Sequence, residues 1–275
     1  MRILQKFLFC FFLCFVFLFA GCASLARPEL SAEDEALLYP VASYVPEVFD
    51  WQEISDETGV VPGIWRFDFE SRDPRFSLIY HAVKINLDRP ELKIVCSQWE
   101  RTSDFATRED CLVAINATPF TKTSLVGIHK DKGKLLSPSN SRYAAIAFDE
   151  NFAKIFENQK DEDFLKFNFA FGGFFIVLKN GQVCQDFIRR HTSRSGAGLS
   201  EDGKTLYLLV VEGERSSQST GLSYPQCGEI FKAMGCHDAL EFDGGGSSEL
   251  CINGRSLLSY KVRRVQGNSF GFKVK

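Results

Sequence analysis

The sequence predicts an α+β fold, mostly antiparallel β-sheet with two main helices. Three observations carry that expectation. After Trp65, short apolar or alternating runs recur with turn signals between them. Two of those turns, Asn180-Gly181 and Asp202-Gly203, have the composition of tight hairpin connections. Helix signals gather in only two later stretches, 102–111 and 223–234, and no internal repeat or low-complexity tract interrupts the chain.

The N-terminus reads as a targeting segment. Arg2 and Lys6 form a basic start, and 7–20 is a continuous apolar stretch too short for a spanning helix. It ends Ala20-Gly21-Cys22, which resembles a bacterial lipobox. The expectation is a signal peptide over 1–21, lipidation of Cys22, and a lipid-anchored place in the bacterial cell envelope. Residues 22–63 read as a tether or leader, because Pro28, Pro40, Pro46, Pro62 and the acidic run Glu33-Asp34-Glu35 favour loosely packed chain. A short helix over 32–38 with Ser31 as its N-cap is the exception. The domain proper is expected over 64–275.

Within that domain, 77–86 alternates, Asp88-Arg89-Pro90 breaks it and 91–96 resumes, which predicts a pair of strands. Thr102 or Ser103 can cap the first main helix. Residues 112–115 form a short, fully apolar run, the mark of a central strand. The segments 143–148 and 153–156 predict a hairpin, as do 175–179 with 183–187 and 195–199 with 205–212. Ser223 can cap the second main helix, whose Leu222, Cys227, Ile230, Phe231 and Met234 fall near helical spacing, and Gly235 ends it. Short strands over 239–242, 250–252, 256–258 and 269–274 complete the tail.

Composition narrows the function classes. The formal net charge is −3 and no basic stripe occurs, so nothing marks a nucleic-acid binder. Cys96, Cys111, Cys184, Cys227, Cys236 and Cys251 are even in number, and an envelope location allows disulfides among them; buried free thiols are the other reading. No C-x-x-C occurs, and His81, His129, His191 and His237 do not cluster, so neither a metal nor another cofactor is expected.

The stretch most suited to chemistry is 241–248, Glu-Phe-Asp-Gly-Gly-Gly-Ser-Ser. A short strand delivers Glu241 and Asp243 into Gly244, Gly245 and Gly246, then Ser247 and Ser248. Such a turn sets a carboxylate beside backbone N–H groups that can cradle an anionic or hydroxylated ligand. Two other strand ends deliver Asn116 and Glu212, and Arg194 stands just before a strand. The two serines lack a G-x-S-x-G setting, which argues against a serine hydrolase.

Four blocks, in order, resemble the phosphodiester glycosidase family: Ala114-Ile115-Asn116 with Phe120; Phe171-Gly172-Gly173 with Lys179-Asn180-Gly181; 191–194 with 198–207 and 210–213; and 234–248. The resemblance covers roughly residues 76 to 274. It departs from the family at 117–119, where the pattern usually reads Gly-Gly-Phe, and at Glu241, where Asn is usual. It implies a glycosidase-like fold and cleavage of a sugar-1-phosphodiester. The implied catalytic set is Asp243 with Glu212 or Glu241 as partner carboxylate and Arg194 on the phosphate. Asn116, Gly172, Gly173, His191, Gly244 to Gly246, Ser247 and Ser248 would hold the substrate. The implied partner is a phosphorylated glycan or sugar phosphodiester. A non-catalytic glycan binder on the same scaffold is the competing expectation.

Overall fold

A computed structural model describes residues 30–73, 76–187, 189–213 and 216–274. The expected signal peptide over 1–21 and the Cys22 lipidation site lie outside the described residues. Among the described residues no helix is long and apolar enough to cross a membrane.

The organising strand is β3 (Phe76–Asn86). Its Val83 and Ile85 enter one apolar core, while Leu78, Tyr80 and Ala82 enter another, as the two-residue period of a strand dictates. It is central to an eight-stranded antiparallel sheet of order β1-β2-β3-β14-β13-β15-β11-β12. The others are β1 (Gln52–Asp56), β2 (Gly59–Asp73), β11 (Ile176–Lys179), β12 (Gln182–Val183), β13 (Arg194–Leu199), β14 (Thr205–Val211) and β15 (Asp238–Glu241). The second core lies between this sheet and a helix we number α3 (Tyr224–Ala233), whose Cys227, Ile230 and Phe231 are buried. Ser223 and Gln226 close a capping box at its start, and Gly235 takes φ 94° just past its end.

Two five-stranded sheets complete the domain. One has the order β17-β16-β5-β18-β4, from β4 (Leu92–Glu100), β5 (Val113–Asn116), β16 (Leu250–Ile252), β17 (Arg255–Ser256) and β18 (Gln266–Val274). The other has the order β7-β6-β10-β8-β9, from β6 (His129–Asp131), β7 (Lys134–Ser137), β8 (Ala145–Phe148), β9 (Ala153–Phe156) and β10 (Phe169–Gly172). All three sheets contribute to one core, where Val83, Ile115, Phe148, Phe171, Leu240 and Phe270 are buried together. Helix α2 (Thr102–Arg108) covers the outer side of β5 and β16.

Three expectations need correction. The 22–63 leader is not loose from Leu30 onward. Helix α1 (Ala32–Leu38) is docked, β1 and the start of β2 belong to the large sheet, and the boundary drawn at residue 64 falls inside β2. The reason is aromatic: Tyr39, Tyr44, Phe49 and Trp51 pack onto the second core. Neither Thr102 nor Ser103 caps α2. Arg101 occupies the cap position without a side-chain bond, and the Thr102 hydroxyl is spent on Ser269 at 2.8 Å. The return strand expected over 183–187 shortens to Gln182–Val183. Of the two readings left open for the six cysteines, the structure has the free thiols.

Candidate active site

The first sheet meets the β5–β18 sheet at the end of β15, and the glycine turn lies on that seam. Asn116, the last residue of β5, stitches it. Its Oδ1 accepts from Ser195 Oγ at 2.8 Å and from the Glu249 N–H at 2.9 Å, and its Nδ2 donates to the Asp243 carbonyl at 2.6 Å. The Asp243 N–H in turn donates to the Ala117 carbonyl at 2.9 Å. The chain then takes one 3₁₀ turn over Gly245–Ser247, with Gly245 at φ 60°, a conformation glycine adopts freely. The N–H groups of Gly245, Ser247 and Ser248 are spent on Ser193, Gly244 and Gly245 carbonyls.

Asp243 emerges from this turn half-buried. Burial pushes its carboxyl up to about 6, opposed by a hydrogen bond from Ser247 and the charge of Arg264. Arg264 is exposed and donates to Ser247 Oγ at 3.3 Å, so one hydroxyl links the carboxylate to the guanidinium. The loop carrying Arg264 is held by Glu212, whose oxygens accept from Ser259 N–H at 2.5 Å and Ser259 Oγ at 2.6 Å. The Tyr260 hydroxyl on the same loop meets Ser193 Oγ at 3.3 Å.

This geometry redistributes the expected roles. Arg194 is only 7% exposed. Its Nε donates to the Leu222 carbonyl at 2.9 Å, its Nη2 to the Arg190 carbonyl at 2.6 Å, and its plane lies over Tyr224 at 4.1 Å. It is committed to the protein rather than open to a phosphate. Glu212 is a loop staple, not a second carboxylate in the site. Glu241 is 0% exposed on the helix side of β15. Neither carboxyl oxygen has a hydrogen-bond partner among the described residues, and burial raises its pKa to about 7, opposed by the Arg194 charge and the Cys227 thiol. Asn116 is buried, with its Oδ1 taken by two donors and its Nδ2 bonded to the Asp243 carbonyl.

Gly172 and Gly173 do not offer their N–H groups to a ligand, because they donate to the Ile128 and Ala144 carbonyls at 2.8 Å. Gly173 is required for close packing, since a Cβ there would stand 2.6 Å from the Glu241 carbonyl oxygen. His191 gives Nε2 to Glu35 of α1 at 2.9 Å and is enclosed by Tyr39 and Phe76. Ser247 remains at the carboxylate, and Ser248 is a buried hydroxyl without a partner among the described residues. The missed residue is Arg264. Its signal was the basic run Lys261-Val262-Arg263-Arg264 just before the last strand.

Among the described residues no group of three His, Cys, Asp or Glu side chains could hold a metal. A cavity of about 1070 Å³ opens elsewhere, between β1 and the β16–β17 hairpin, lined by Glu53, Asp56, Arg66, Asp110 and Arg255 among others. It does not include the Asp243 turn.

The phosphodiester glycosidase family model matches residues 109–273, which holds Asn116, Asp243, Ser247 and Arg264. The chain belongs to the phosphodiester glycosidase family. The chain is similar to a curated protein, the SPbeta prophage-derived uncharacterized protein YomE of Bacillus subtilis (strain 168), 28% identical over 175 residues. That match takes in 58% of this chain and 27% of that protein, so the chain spans about a quarter of the relative's length. A hypothetical protein from Synechocystis shares the fold at TM-score 0.65 and 14% identity, over 78% of this chain and 62% of that one. The catalytic domain of zebrafish N-acetylglucosamine-1-phosphodiester alpha-N-acetylglucosaminidase, auto-inhibited by its pro-peptide, does so at TM-score 0.63 and 17% identity. That likeness covers 83% of this chain and 89% of that domain. The phosphodiester glycosidase fold is thus mostly antiparallel sheet, as expected, with α2 and α3 as the two main helices.

Proposed function

We propose that this protein hydrolyses a sugar-1-phosphodiester of the N-acetylglucosamine type, in envelope or host glycans, while tethered to a bacterial membrane through lipidated Cys22. The observation that carries the reading is the Asp243–Ser247–Arg264 array on the glycine turn of a phosphodiester glycosidase domain. Breaking the bond between the anomeric carbon and the phosphate oxygen develops positive charge on the sugar, which a carboxylate must meet. Asp243 is that carboxylate. The electron pair leaves on the phosphate, and water supplies the oxygen of the freed sugar. The departing phosphate is a weak base, so it needs charge stabilisation more than a strong proton donor. Arg264 supplies it, and the N–H groups of Gly244 and Gly246 on the same turn add to it.

The test is release of reducing sugar from N-acetylglucosamine 1-(methyl phosphate). Asp243→Asn should lower kcat by roughly 10³-fold or more, as loss of an essential carboxylate does. Arg264→Ala should raise KM and lower kcat. Full turnover in both variants sinks the reading. A glycan binder is the second reading, favoured by the burial of Glu212 and Glu241, which leaves Asp243 without an open partner carboxylate. Sugar binding without turnover would select it. Loss of palmitate labelling in Cys22→Ala tests the anchor.

A further inference from the structure

Five aromatic rings meet in an open cluster beside the end of β15. Tyr143 stands against Phe174 at 5.3 Å and Phe175 at 5.6 Å. Phe174 stacks on Phe175 at 6.0 Å, and Phe187 and Tyr224 close the group at 5.6 and 6.1 Å from Phe175. None of the five is buried, and Phe175 is 37% exposed. The rings of the main core, Phe148, Phe171, Phe270 and Phe272, are by contrast all sealed from solvent. Four of the rings are half-buried and Phe175 is open, so the cluster presents a partly wet aromatic face, the character of a binding surface rather than of a sealed core.

Its position is fixed by the backbone. The Phe174 N–H donates to the Glu241 carbonyl at 2.6 Å, and the Glu241 N–H to the Phe175 carbonyl at 2.9 Å. The face therefore begins one strand away from the residue two places before Asp243. Tyr224 extends it toward Arg194, whose guanidinium lies 4.1 Å from that ring's centroid, and Tyr224 feels the charge of Asp243. Ser247, after the glycines of the turn, carries the bond from Arg264.

We propose that this face is the sugar-stacking subsite of the protein, taking the apolar C–H face of the pyranose ring whose anomeric carbon is presented to Asp243. The inference rests on the glycosidase reading. A pyranose offers a flat apolar face and a rim of hydroxyls. The cluster matches both, since aromatic rings form its floor and exposed Arg142, Gln185 and Asp186 neighbour Tyr143 and Phe187 in the chain. An anionic bilayer is a poorer occupant, because Asp186 lies in that rim and the chain is net acidic. With the phosphate held by Arg264, the ring side of the substrate falls toward the aromatic face.

The experiment uses the whole protein, with Phe175→Ala, Tyr143→Ala and the conservative Phe175→Trp. Two readouts are taken: kcat and KM on N-acetylglucosamine 1-(methyl phosphate), and binding of methyl N-acetylglucosaminide by calorimetry. We expect each alanine variant to raise KM and the glycoside Kd about tenfold with kcat little changed, the loss of one stacking contact. Phe175→Trp should restore both. Unchanged KM and Kd in both alanine variants overturn the subsite while leaving the glycosidase reading intact. Glycoside binding that is lost in Phe175→Ala, in a protein that turns over no phosphodiester, keeps the subsite and removes the glycosidase reading. Binding to phosphatidylglycerol vesicles that disappears in Phe175→Ala, with sugar parameters unchanged, assigns the face to lipid and also overturns the proposal.

Discussion

At the scale of single residues, two carboxyls two positions apart on one strand end carry opposite consequences. Asp243 is held up to about 6 by burial, with Ser247 and Arg264 pulling the other way. If its charged form meets the developing sugar cation, kcat/KM rises with pH through about 6 and is level above it. Removing Arg264 removes an influence that lowers the value, so Arg264→Ala should move that limb to higher pH. A limb that falls through the same region would instead make Asp243 a proton donor. Glu241 is wholly buried and raised to about 7. The sign follows from linkage: below the ordinary glutamate range both states are protonated and nothing is lost. As pH rises toward 7 the unfolded chain ionises first, so the native state is progressively penalised. Glu241→Gln removes a penalty on the order of 3 kcal/mol above pH 7, part of which the buried amide takes back. Chemical denaturation at pH 5 and pH 8 should show the variant gaining stability only at the higher pH. An equal effect at both values refutes the ionisation argument.

At the scale of elements, the seam between β5 and β15 decides where Asp243 points. Asn116 reaches from one sheet to Ser195 and the turn of the other. Asn116→Ala leaves a buried hydroxyl and a buried N–H without their acceptor, a loss of about 2–4 kcal/mol. It should also lower kcat, because the Asp243 carbonyl is no longer tethered; thermal melts and turnover measured together check this, and an unaltered Tm would show that the stitch is dispensable. The same seam shows what was legible in sequence. The glycine turn was, because Asp-Gly-Gly-Gly-Ser-Ser is a local signal, and so were the Asn180-Gly181 hairpin and the capped α3. The strands β6 and β7, three and four residues long, carry too little period to stand out. Roles assigned by residue type failed where tertiary partners intervene. Arg194 looked like a phosphate ligand, yet its guanidinium is taken by carbonyls at 190 and 222. Glu212 looked catalytic, yet Ser259 occupies it. The basic run at 261–264 is visible in sequence, but Arg264 enters the site only because Glu212 pins Ser259 of the same loop, a contact between residues 47 apart in the chain.

At the scale of the whole molecule, the N-terminal segment is part of the fold through one buried carboxylate. Glu35 on α1 bonds Arg189 at 2.5 Å and His191 at 2.9 Å, with all three side chains nearly closed to solvent. Burial alone would raise the Glu35 carboxyl, but the bonds from His191, Arg189 and Ser223 outweigh it and hold it below its ordinary value. A carboxyl lowered in the native state contributes stability that is present above the unfolded value and is lost as pH falls through the folded one. Docking of α1 should therefore hold at neutral pH and weaken in acid, below the ordinary glutamate range. Glu35→Ala removes the anchor outright and leaves a guanidinium and an imidazole buried without their partner, a loss of about 3 kcal/mol. In a domain of this size that is a fall in Tm on the order of 10 °C. The aromatic packing of Tyr39 and Tyr44 against Phe76 remains in the variant, so the sheets should still form. Limited proteolysis separates the two effects. Cleavage confined to the stretch before β1, with the remainder intact, is the expected outcome; no new cleavage there would mean that α1 docks by apolar contact alone and that the charge cluster holds nothing in place.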